Sequence, residues 1–432
     1  MPYPSGSGAT MQPPSLAGSG HILESVAAEV VASGVAGESR LVKLLYLTIT
    51  SRLLDRPCSV VIKGPSAGGK SFVVEQVLGL FPSDAYYALS AMSERALAYD
   101  SEPVAHRMLV LYEAAGVSGE IATYLMRSLL SEGHINYVTV VRTKNGLEPK
   151  RISRPGPTGL ITTTTAVSLH PENETRLLSL TISDSPEQTR AIMLSHALGG
   201  RPRRDRRRWH ELQRWLAETP CEVIVPYAPA LARLIPPVAI RLRRDFPTLI
   251  TLIKAHALLH RHGRERDALD RIVAKVEDYV TVRHLVGDLL ADAAERAVPS
   301  SVRDTVEAVR DLCTPSDPLE DGCTVTSVAA RLGVDKSTAL RRARVAITRG
   351  YLKNLEDRRG RPARLVPGDT LPSDGLLLPV AAEVERLHGC SADGGDDLPV
   401  ELEYPRSVWD PDSEETDAGA SEVRSPAVER SP

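Results

Sequence analysis

The stretch Gly64-Pro65-Ser66-Ala67-Gly68-Gly69-Lys70-Ser71 fits the phosphate-loop pattern G-x-x-x-x-G-K-S at every fixed position. Residues 58–62 before it are apolar and β-prone, and residues 72–78 after it have a helix-like composition. Strand, loop and helix in this order form the setting in which such loops bind phosphate. Backbone N–H groups of the loop would surround the β-phosphate, Lys70 would reach the β- and γ-phosphates, and the Ser71 hydroxyl would ligate Mg²⁺. We therefore expect ATP and Mg²⁺ as cofactors.

Length and composition limit the class of protein. At 432 residues the chain is too long for one ordinary hydrophobic core, so two or three domains are expected. An apolar content of 42% is typical of globular proteins. The sequence contains no run of about eighteen apolar residues and no charged-then-apolar signal segment at its start, so we expect a cytoplasmic protein without a membrane partner.

Charge and cysteine usage add two expectations. The five cysteines lack C-x-x-C spacing, so neither a disulfide framework nor a zinc site is indicated, and reduced thiols are expected. The net charge of −3 hides a strong asymmetry. Residues 331–364 carry eleven bases and three acids, whereas residues 391–432 carry twelve acids and three bases. A basic segment followed by an acidic tail predicts a polyanion-binding surface and a tail able to compete for it.

The sequence predicts a disordered tail over residues 1–20 and a P-loop ATPase core over residues 21–198. In that core an apolar run, residues 107–111, is followed by Tyr112-Glu113. Glu113 stands where an ATPase places the carboxylate that polarises the attacking water and supports the metal. The usual pattern ends in Asp-Glu, and here Tyr112 replaces the Asp. The sequence therefore predicts ATP hydrolysis less firmly than it predicts nucleotide binding. The alternative is a buried strand with a chance acid at its end.

Two extended runs, residues 133–141 and 147–153, flank an Asn-Gly pair that is typical of a β-hairpin turn. Arg142 and Lys144 would place positive charge near the turn, with further basic residues along the second run. Such a hairpin can contact a nucleic-acid backbone, and the alternative is a solvated turn.

The run Gly-Leu-Ile-Thr-Thr-Thr-Thr at residues 159–165 is β-branched and predicts another central strand. Its hydroxyls, Thr164 among them, would sense the γ-phosphate or hold the water. Strands alternating with helices in this way predict an α/β domain with a mostly parallel sheet.

These parts in this order resemble an AAA+ ATPase, and most of all the branch that contains the minichromosome-maintenance (MCM) helicases, of a phage or mobile-element type. The resemblance covers roughly residues 40–295. It implies that the hairpin contacts DNA in the pore of a ring. It also implies that Arg176 is an arginine finger for the neighbouring subunit, and that Arg244 is the second sensor arginine at the start of a lid helix. A cation supplied in trans requires a homo-oligomer.

Beyond the core, the sequence predicts a basic linker and an α-helical lid over residues 199–298. Residues 201–208 include six arginines, which either contact nucleic acid or are simply exposed to solvent. Residues 299–370 predict a winged helix-turn-helix, and residues 371–432 an acidic, largely disordered tail. The spacing A-x-x-L-G-V-x-x-S-T from Ala329 resembles bacterial winged-helix DNA-binding domains. The expected DNA-contacting residues are Lys336, Ser337, Thr338, Arg341 and Arg342 on the recognition helix and Arg358, Arg359 and Arg361 on the wing. The alternative is a winged helix that contacts protein.

The leading prediction is thus an ATP hydrolase that moves on or unwinds DNA in replication or mobile-element maintenance, as a ring working with a primase or other replication proteins. One alternative is a DNA-binding regulator of transcription or replication that ATP switches and hydrolyses weakly. A small-molecule kinase with an appended winged helix is a third reading, but it leaves the hairpin and Arg176 unexplained.

Overall fold

The computed structural model describes residues 12–90, 96–113, 120–143, 146–165, 176–197, 205–218, 222–296, 298–313, 322–356, 358, 361–371 and 377–393. The chain divides into two units, residues 1–388 and 389–432. In the second unit, the described part is limited to residues 389–393. Residues 1–11, Lys144, Arg359 and residues 394–432, all of which carry expectations from the sequence, lie outside the described residues.

The described elements alternate between strands and helices through the first half of the chain. The helices are α1 (Ile22–Ala32), α2 (Ser39–Thr50), α3 (Lys70–Leu78), α4 (Ala96–Tyr99), α5 (Glu120–Glu132), α6 (Pro186–Ala197), α7 (Arg207–Ala217), α8 (Ala228–Leu234), α9 (Leu242–Leu259), α10 (Val276–Arg296), α11 (Ser300–Leu312), α12 (Val325–Leu332), α13 (Lys336–Thr348) and α14 (Ala381–Asp393). The strands are β1 (Val60–Lys63), β2 (Tyr86–Leu89), β3 (Arg107–Leu111), β4 (His134–Thr143), β5 (Gly146–Pro155), β6 (Thr158–Thr164), β7 (Leu178–Thr181), β8 (Val223–Ile224), β9 (Ile272–Val273), β10 (Leu352–Asn354) and β11 (Leu365–Pro367).

Five strands form one sheet in the order β2-β3-β6-β1-β7, and every neighbouring pair is parallel. The prediction of a mixed α/β fold with a parallel sheet is confirmed. Strand β6 lies at the centre, and all seven of its residues are buried. Its β-branched residues suit a strand covered on both faces.

Parallel strands give the sheet two chemically different edges. At the carboxyl edge, where the strands end, lie residues 64–71 after β1, Tyr112 and Glu113 after β3, and Ile182 after β7. At the amino edge, where the strands begin, Val60 of β1 lies opposite Leu178 of β7. Ligands of open α/β sheets bind outside the carboxyl ends of the strands, so the carboxyl edge is where a site is expected.

Helices cover both faces of the sheet. On one face, a continuous core joins β1 and β6 to α1, α2, α3, α7, α9 and α10. Its centre contains Tyr46, whose ring lies 4.8 Å from that of Phe81 and 6.0 Å from that of Trp209. On the other face, α4, α5 and the base of the β4–β5 pair enclose a smaller core. Helices α7, α8, α9 and α10 therefore share the hydrophobic core of the sheet.

Two segments expected to be disordered are partly ordered. Residues Ser15–Gly18 form a 3₁₀ turn in which Ala17 is buried. Further on, Leu377, Leu378 and Val384 are buried in the main core. The Tyr279 hydroxyl of α10 donates to the Pro379 carbonyl at 2.7 Å, which fixes the backbone there. A few apolar residues are enough to order each segment, because they pack against the main core that the rest of the chain forms.

Residues 298–371 have a hydrophobic core of their own, built by α11, α12, α13, β10 and β11. Alanines 339, 343 and 346 of α13 are buried in it, and their small size lets the helices approach closely. The Tyr351 hydroxyl donates to the Val238 carbonyl of the segment before α9. Among the described helices, none combines the length and the apolar character needed to cross a membrane.

Candidate functional site

The loop of residues 64–71 joins β1 to α3. At two positions, Gly64 and Gly69, the structure explains why the residue is glycine. A Cβ on Gly64 would lie 2.4 Å from the Ile182 side chain, so a larger residue has no room there. Gly69 caps the start of α3 with φ +82°, a left-handed conformation that glycine adopts without strain. The loop is thus pressed against the chain that follows β7, and its backbone turns tightly into the first turn of α3.

Lys70 is the first residue of α3, and only 7% of its surface is exposed. Its ammonium group donates to the carbonyl oxygens of Gly64 at 2.9 Å and Pro65 at 2.7 Å. A buried ammonium group needs such acceptors, and phosphate oxygens are stronger ones. Ser71 is exposed at the same edge. The helix start, the lysine and the hydroxyl together form a cradle for an anion.

Glu113 follows β3 at the same edge and is exposed, with φ +72°. Its backbone N–H donates to the Thr163 hydroxyl of β6 at 3.0 Å. A left-handed conformation in a residue other than glycine carries strain, and the hydrogen bond to Thr163 helps to hold it. Thr164, the residue predicted to sense phosphate, is the buried last residue of β6. The sequence analysis missed Thr163, because four threonines in a row give no signal until the strand register is known.

Tyr112 is half-buried and packs against the main core next to α3. Burial raises the pKa of its hydroxyl to about 12, and the nearby Glu75 carboxylate and Tyr86 act in the same direction. The phenol is therefore neutral at physiological pH and gives the carboxyl edge no charge where an Asp would. Within the described residues, no group of three or more His, Cys, Asp or Glu side chains is arranged to hold a metal.

Arg176 lies at the opposite edge from the loop. It stands two residues before Leu178, which is opposite Val60 at the start of β1. Its Nε donates to the Ser131 hydroxyl of α5 at 2.9 Å.

Arg244 lies in the first turns of α9, and its neighbours also belong to the amino edge. The Arg241 guanidinium donates to the Leu177 carbonyl at 3.5 Å. One turn beyond Arg244, the Thr248 carbonyl is 3.9 Å from the sulfur of Cys58, two residues before β1. The structure thus brings Arg244 to the side of Arg176, away from Lys70 and Glu113.

Strands β4 and β5 form an antiparallel pair of ten residues each, with Arg142 opposite Leu147 near the turn. Arg142 is exposed, and so are the apolar side chains of Val138, Val140 and Leu147. Arg154, the basic residue that directly follows the second predicted run, is buried and donates to the carbonyls of Asp100 and Glu102. It anchors the base of the hairpin.

Helices α12 and α13 meet at Gly333, which has φ +66°. Asp335 caps α13 by accepting the backbone N–H of Thr338 at 2.9 Å, and the Ser337 hydroxyl donates to the same carboxylate. Exposed side chains on α13 include Lys336, Ser337, Arg341 and Arg344, whereas Arg342 and Thr338 are half-buried. Arg344 was missed in the sequence analysis, although its spacing of three from Arg341 puts both on one helical face. Arg358 and Arg361 are exposed beyond β10.

The described part of the arginine-rich run makes contacts within the chain. Arg206 donates to the Gln76 amide of α3 at 2.6 Å, and Arg208 pairs with the buried Glu29 of α1 at 2.6 Å. These two arginines fasten α7 to the core, which favours a structural role for them over nucleic-acid contact. Residues 201–204 lie outside the described residues.

The parallel sheet carries the G-x-x-x-x-G-K-S loop after β1 and the acid Glu113 after β3, at the same edge. No protein-family model and no curated protein matches the chain. Among solved structures, it is similar to a full-length MCM homologue from Methanopyrus kandleri, with 14% identity and a TM-score of 0.38 over 62% of this chain and 58% of that one. It is also similar to the Aeropyrum pernix ORC1 protein in complex with DNA, with 12% identity and a TM-score of 0.26 over 83% and 93% of the two chains. A third is Drosophila ORC bound to DNA, with 13% identity and a TM-score of 0.27 over 89% and 95%. Similarities this low assign no family.

Proposed function

We propose that the chain is an ATP-dependent motor of MCM-like AAA+ type that binds DNA and translocates on it or unwinds it. One observation carries the proposal. The phosphate loop and Glu113 lie at one edge of the sheet and Arg176 at the other, in a chain that also bears a long hairpin and a basic helix-turn-helix surface.

The residues at the carboxyl edge fit ATP with Mg²⁺. Gly64 leaves no space for a side chain between the loop and Ile182, and Lys70 is held where phosphate oxygens would replace its two carbonyl acceptors. Ser71 and Glu113 would hold the ion, which supplies charge neutralisation on the phosphates when bound. The loop from Gly64 to Ser71 would bind the phosphates through its backbone N–H groups.

Glu113 would accept a proton from the attacking water. A general base must sit within reach of that water, and the exposed Glu113 carboxylate at the carboxyl edge would meet this need. The hydrogen bond from its backbone N–H to Thr163 keeps it in the left-handed conformation. Thr164, one residue further, would help to orient the γ-phosphate.

Arg176, with Arg244 beside it, would complete the ATP site of the next subunit. Both lie near the amino edge of their own sheet, so they serve a second copy better than their own loop. A cation that arrives with a neighbour stabilises the charge on the transferred phosphoryl group. The working form would therefore be a homo-oligomeric ring.

DNA would be bound at two places. The exposed Arg142 of the hairpin, with Lys144 in the turn, would contact the backbone in the pore. Residues 299–370 would act as a winged helix-turn-helix, with Lys336, Ser337 and Arg341 on the recognition helix. Its further contacts would come from Thr338, Arg342 and Arg344 on the same helix and from Arg358, Arg359 and Arg361 on the wing. A primase or other replication proteins in the cytoplasm would be its partners.

The test is steady-state ATP hydrolysis with and without single-stranded and forked DNA, for the native chain and for Lys70→Ala, Glu113→Gln and Arg176→Ala. The motor predicts turnover that DNA stimulates and that each substitution abolishes, followed by strand separation on the fork. A protein that stays monomeric with both ATP and DNA would lack the second copy that the mechanism needs.

A second candidate function is favoured by Tyr112. Because this neutral phenol stands where an Asp usually supports the metal, the nucleotide domain could act as a switch with weak hydrolysis. The chain would then be a regulator whose binding to specific duplex DNA depends on ATP. ATP binding that requires Lys70 without turnover under any DNA condition would favour this function over the motor.

A further inference from the structure

Two cysteines meet in the described part of residues 298–371. Cys313 follows the last residue of α11, and its sulfur lies 3.7 Å from the Leu365 carbonyl of β11. Cys323 pairs with the same residue through its backbone. Its N–H donates to the Leu365 carbonyl at 2.9 Å, and its own carbonyl accepts from the Leu365 N–H at 2.8 Å. The end of α11 and the segment before α12 thus converge on one residue of β11.

The two side chains also contact each other. Cys313 is near enough to Cys323 to raise the pKa of the Cys323 thiol by a side-chain hydrogen bond, and both cysteines are free. Cys323 is buried, whereas Cys313 is half-exposed. Burial, together with Cys313, raises the pKa of the Cys323 thiol to about 12, so Cys323 stays protonated and Cys313 is the sulfur that an oxidant in solution reaches. Cys58, by contrast, is buried in the core beneath the sheet.

We propose that Cys313 and Cys323 form a reversible disulfide that links the end of α11 to the segment paired with β11. The bond would close a loop over residues 314–322 and tie α11 to β11, which directly follows the wing arginines in the sequence. The sequence predicted reduced thiols, because the spacing of the five cysteines indicated no disulfide framework. The disulfide proposed here depends on a contact that only the tertiary structure brings about.

The chemistry balances with a peroxide as the oxidant. Hydrogen peroxide oxidises the Cys313 thiol to a sulfenic acid and releases one water. The Cys323 sulfur then attacks the Cys313 sulfur, and the Cys323 proton leaves with the hydroxyl group as a second water. Two thiols and one peroxide become one disulfide and two waters, and a dithiol reductant reverses the step by thiol exchange.

The first test uses the full chain and needs neither nucleotide nor DNA, so its failure is distinguishable from failure of the proposed function. The protein is treated with hydrogen peroxide, alkylated and digested, and the peptides are weighed. We expect the Cys313 and Cys323 peptides to be joined, with two hydrogens lost, and to separate on reduction. Cys313→Ser or Cys323→Ser should abolish the link, whereas Cys390→Ser should leave it intact. Full alkylation of both thiols after peroxide, or a link to other cysteines, would overturn the proposal.

A second readout reports what the bond does. In the oxidised native chain, hydrogen exchange of the Cys323 and Leu365 amides should slow relative to the reduced chain. The melting temperature of this region should rise by about 10 °C or more, as expected for a short closed loop in a small folded unit. Neither change should appear in Cys313→Ser. Unchanged exchange and melting in a chain shown to carry the disulfide would overturn the stabilising role.

Discussion

The two edges of the parallel sheet differ in what they hold. The carboxyl edge carries the glycine-rich loop, the buried Lys70 ammonium and the exposed Glu113 carboxylate. The amino edge carries Arg176, with Arg244 close by on α9. About six residues of extended chain, roughly 20 Å, separate Arg176 from the loop. In the proposed motor, the two edges would supply the two parts of a hydrolytic site, and a second copy of the chain would be needed to bring them together.

The largest effect is expected at the carboxyl edge. Lys70→Ala removes the ammonium group that the loop carbonyls now hold, so hydrolysis should fall to the buffer background. ATP affinity should fall roughly tenfold or more, because hydrogen bonds to charged groups contribute about 1.5–3 kcal/mol each. A phosphate-release assay and nucleotide titration measure the two quantities. Lys43→Ala, which removes a lysine of α2 that pairs with Glu24 of α1, is the matched control and should change neither.

The amino edge should affect turnover but not binding. Arg176→Ala is expected to lower kcat by about 10³-fold or more, since a cation supplied to the transferring phosphoryl group has effects of this size. ATP affinity should stay within about twofold, because the guanidinium does not belong to the loop of its own chain. Ser131→Ala, which removes the hydrogen-bond partner of Arg176, should cost much less.

Mixing the two inactive variants sharpens the comparison further. In a randomly mixed ring, roughly a quarter of the interfaces would pair an intact loop from Arg176→Ala with an intact arginine from Lys70→Ala. Hydrolysis should therefore reappear in the mixture, although neither variant is active alone. A mixture as inactive as its components would contradict the assignment of Arg176 to the neighbouring site.

Thr163 should have an intermediate effect within the carboxyl edge. Thr163→Val removes the hydroxyl that accepts the Glu113 backbone N–H, which should lower kcat by about tenfold while ATP affinity stays unchanged. Thr163→Ser keeps the hydroxyl and should restore most of the rate. Equal losses for the valine and serine variants would mean that packing of β6, and not the hydrogen bond, is what matters.

The smallest effect on hydrolysis is expected from a third region, the buried His256 near the end of α9 and the buried His260 directly after it. Burial, with His256 and Arg264, lowers the pKa of His260 to about 4 from an ordinary value of 6.5. Above about pH 6.5, His260 is neutral in both the folded and the unfolded chain and costs no stability. Because the folded chain disfavours the charged imidazole, the free energy of unfolding falls as the pH falls from 6.5 toward 4. The loss is at most about 3 kcal/mol.

Denaturant unfolding at several pH values measures that loss. His260→Gln should flatten the dependence of unfolding free energy on pH between 6.5 and 4, and kcat at pH 7.5 should stay within about twofold of the native value. A pH dependence equally steep in the variant would assign the effect to other groups.

The sequence by itself determined the elements whose chemistry is local. The glycine-rich loop of residues 64–71 and the acid Glu113 after the apolar run of residues 107–111 follow from residue types at fixed spacing. The alternation of strands with helices along the sequence predicted the parallel sheet. The cap of α13 by Asp335 belongs to the same class, because its donor and acceptor are three residues apart.

The tertiary structure alone decided the contacts between distant segments. The register of β3 against β6 places the Thr163 hydroxyl, and not that of Thr164, where it accepts the Glu113 backbone N–H. The packing of the hairpin base buried Arg154. Leu377, Leu378 and Val384 are buried in the main core because they pack against helices, α10 among them, that come earlier in the chain. The placement of Arg244 near the amino edge is likewise set by how α9 packs against segments far from it in sequence, and no local pattern encodes the distance between two edges of a sheet.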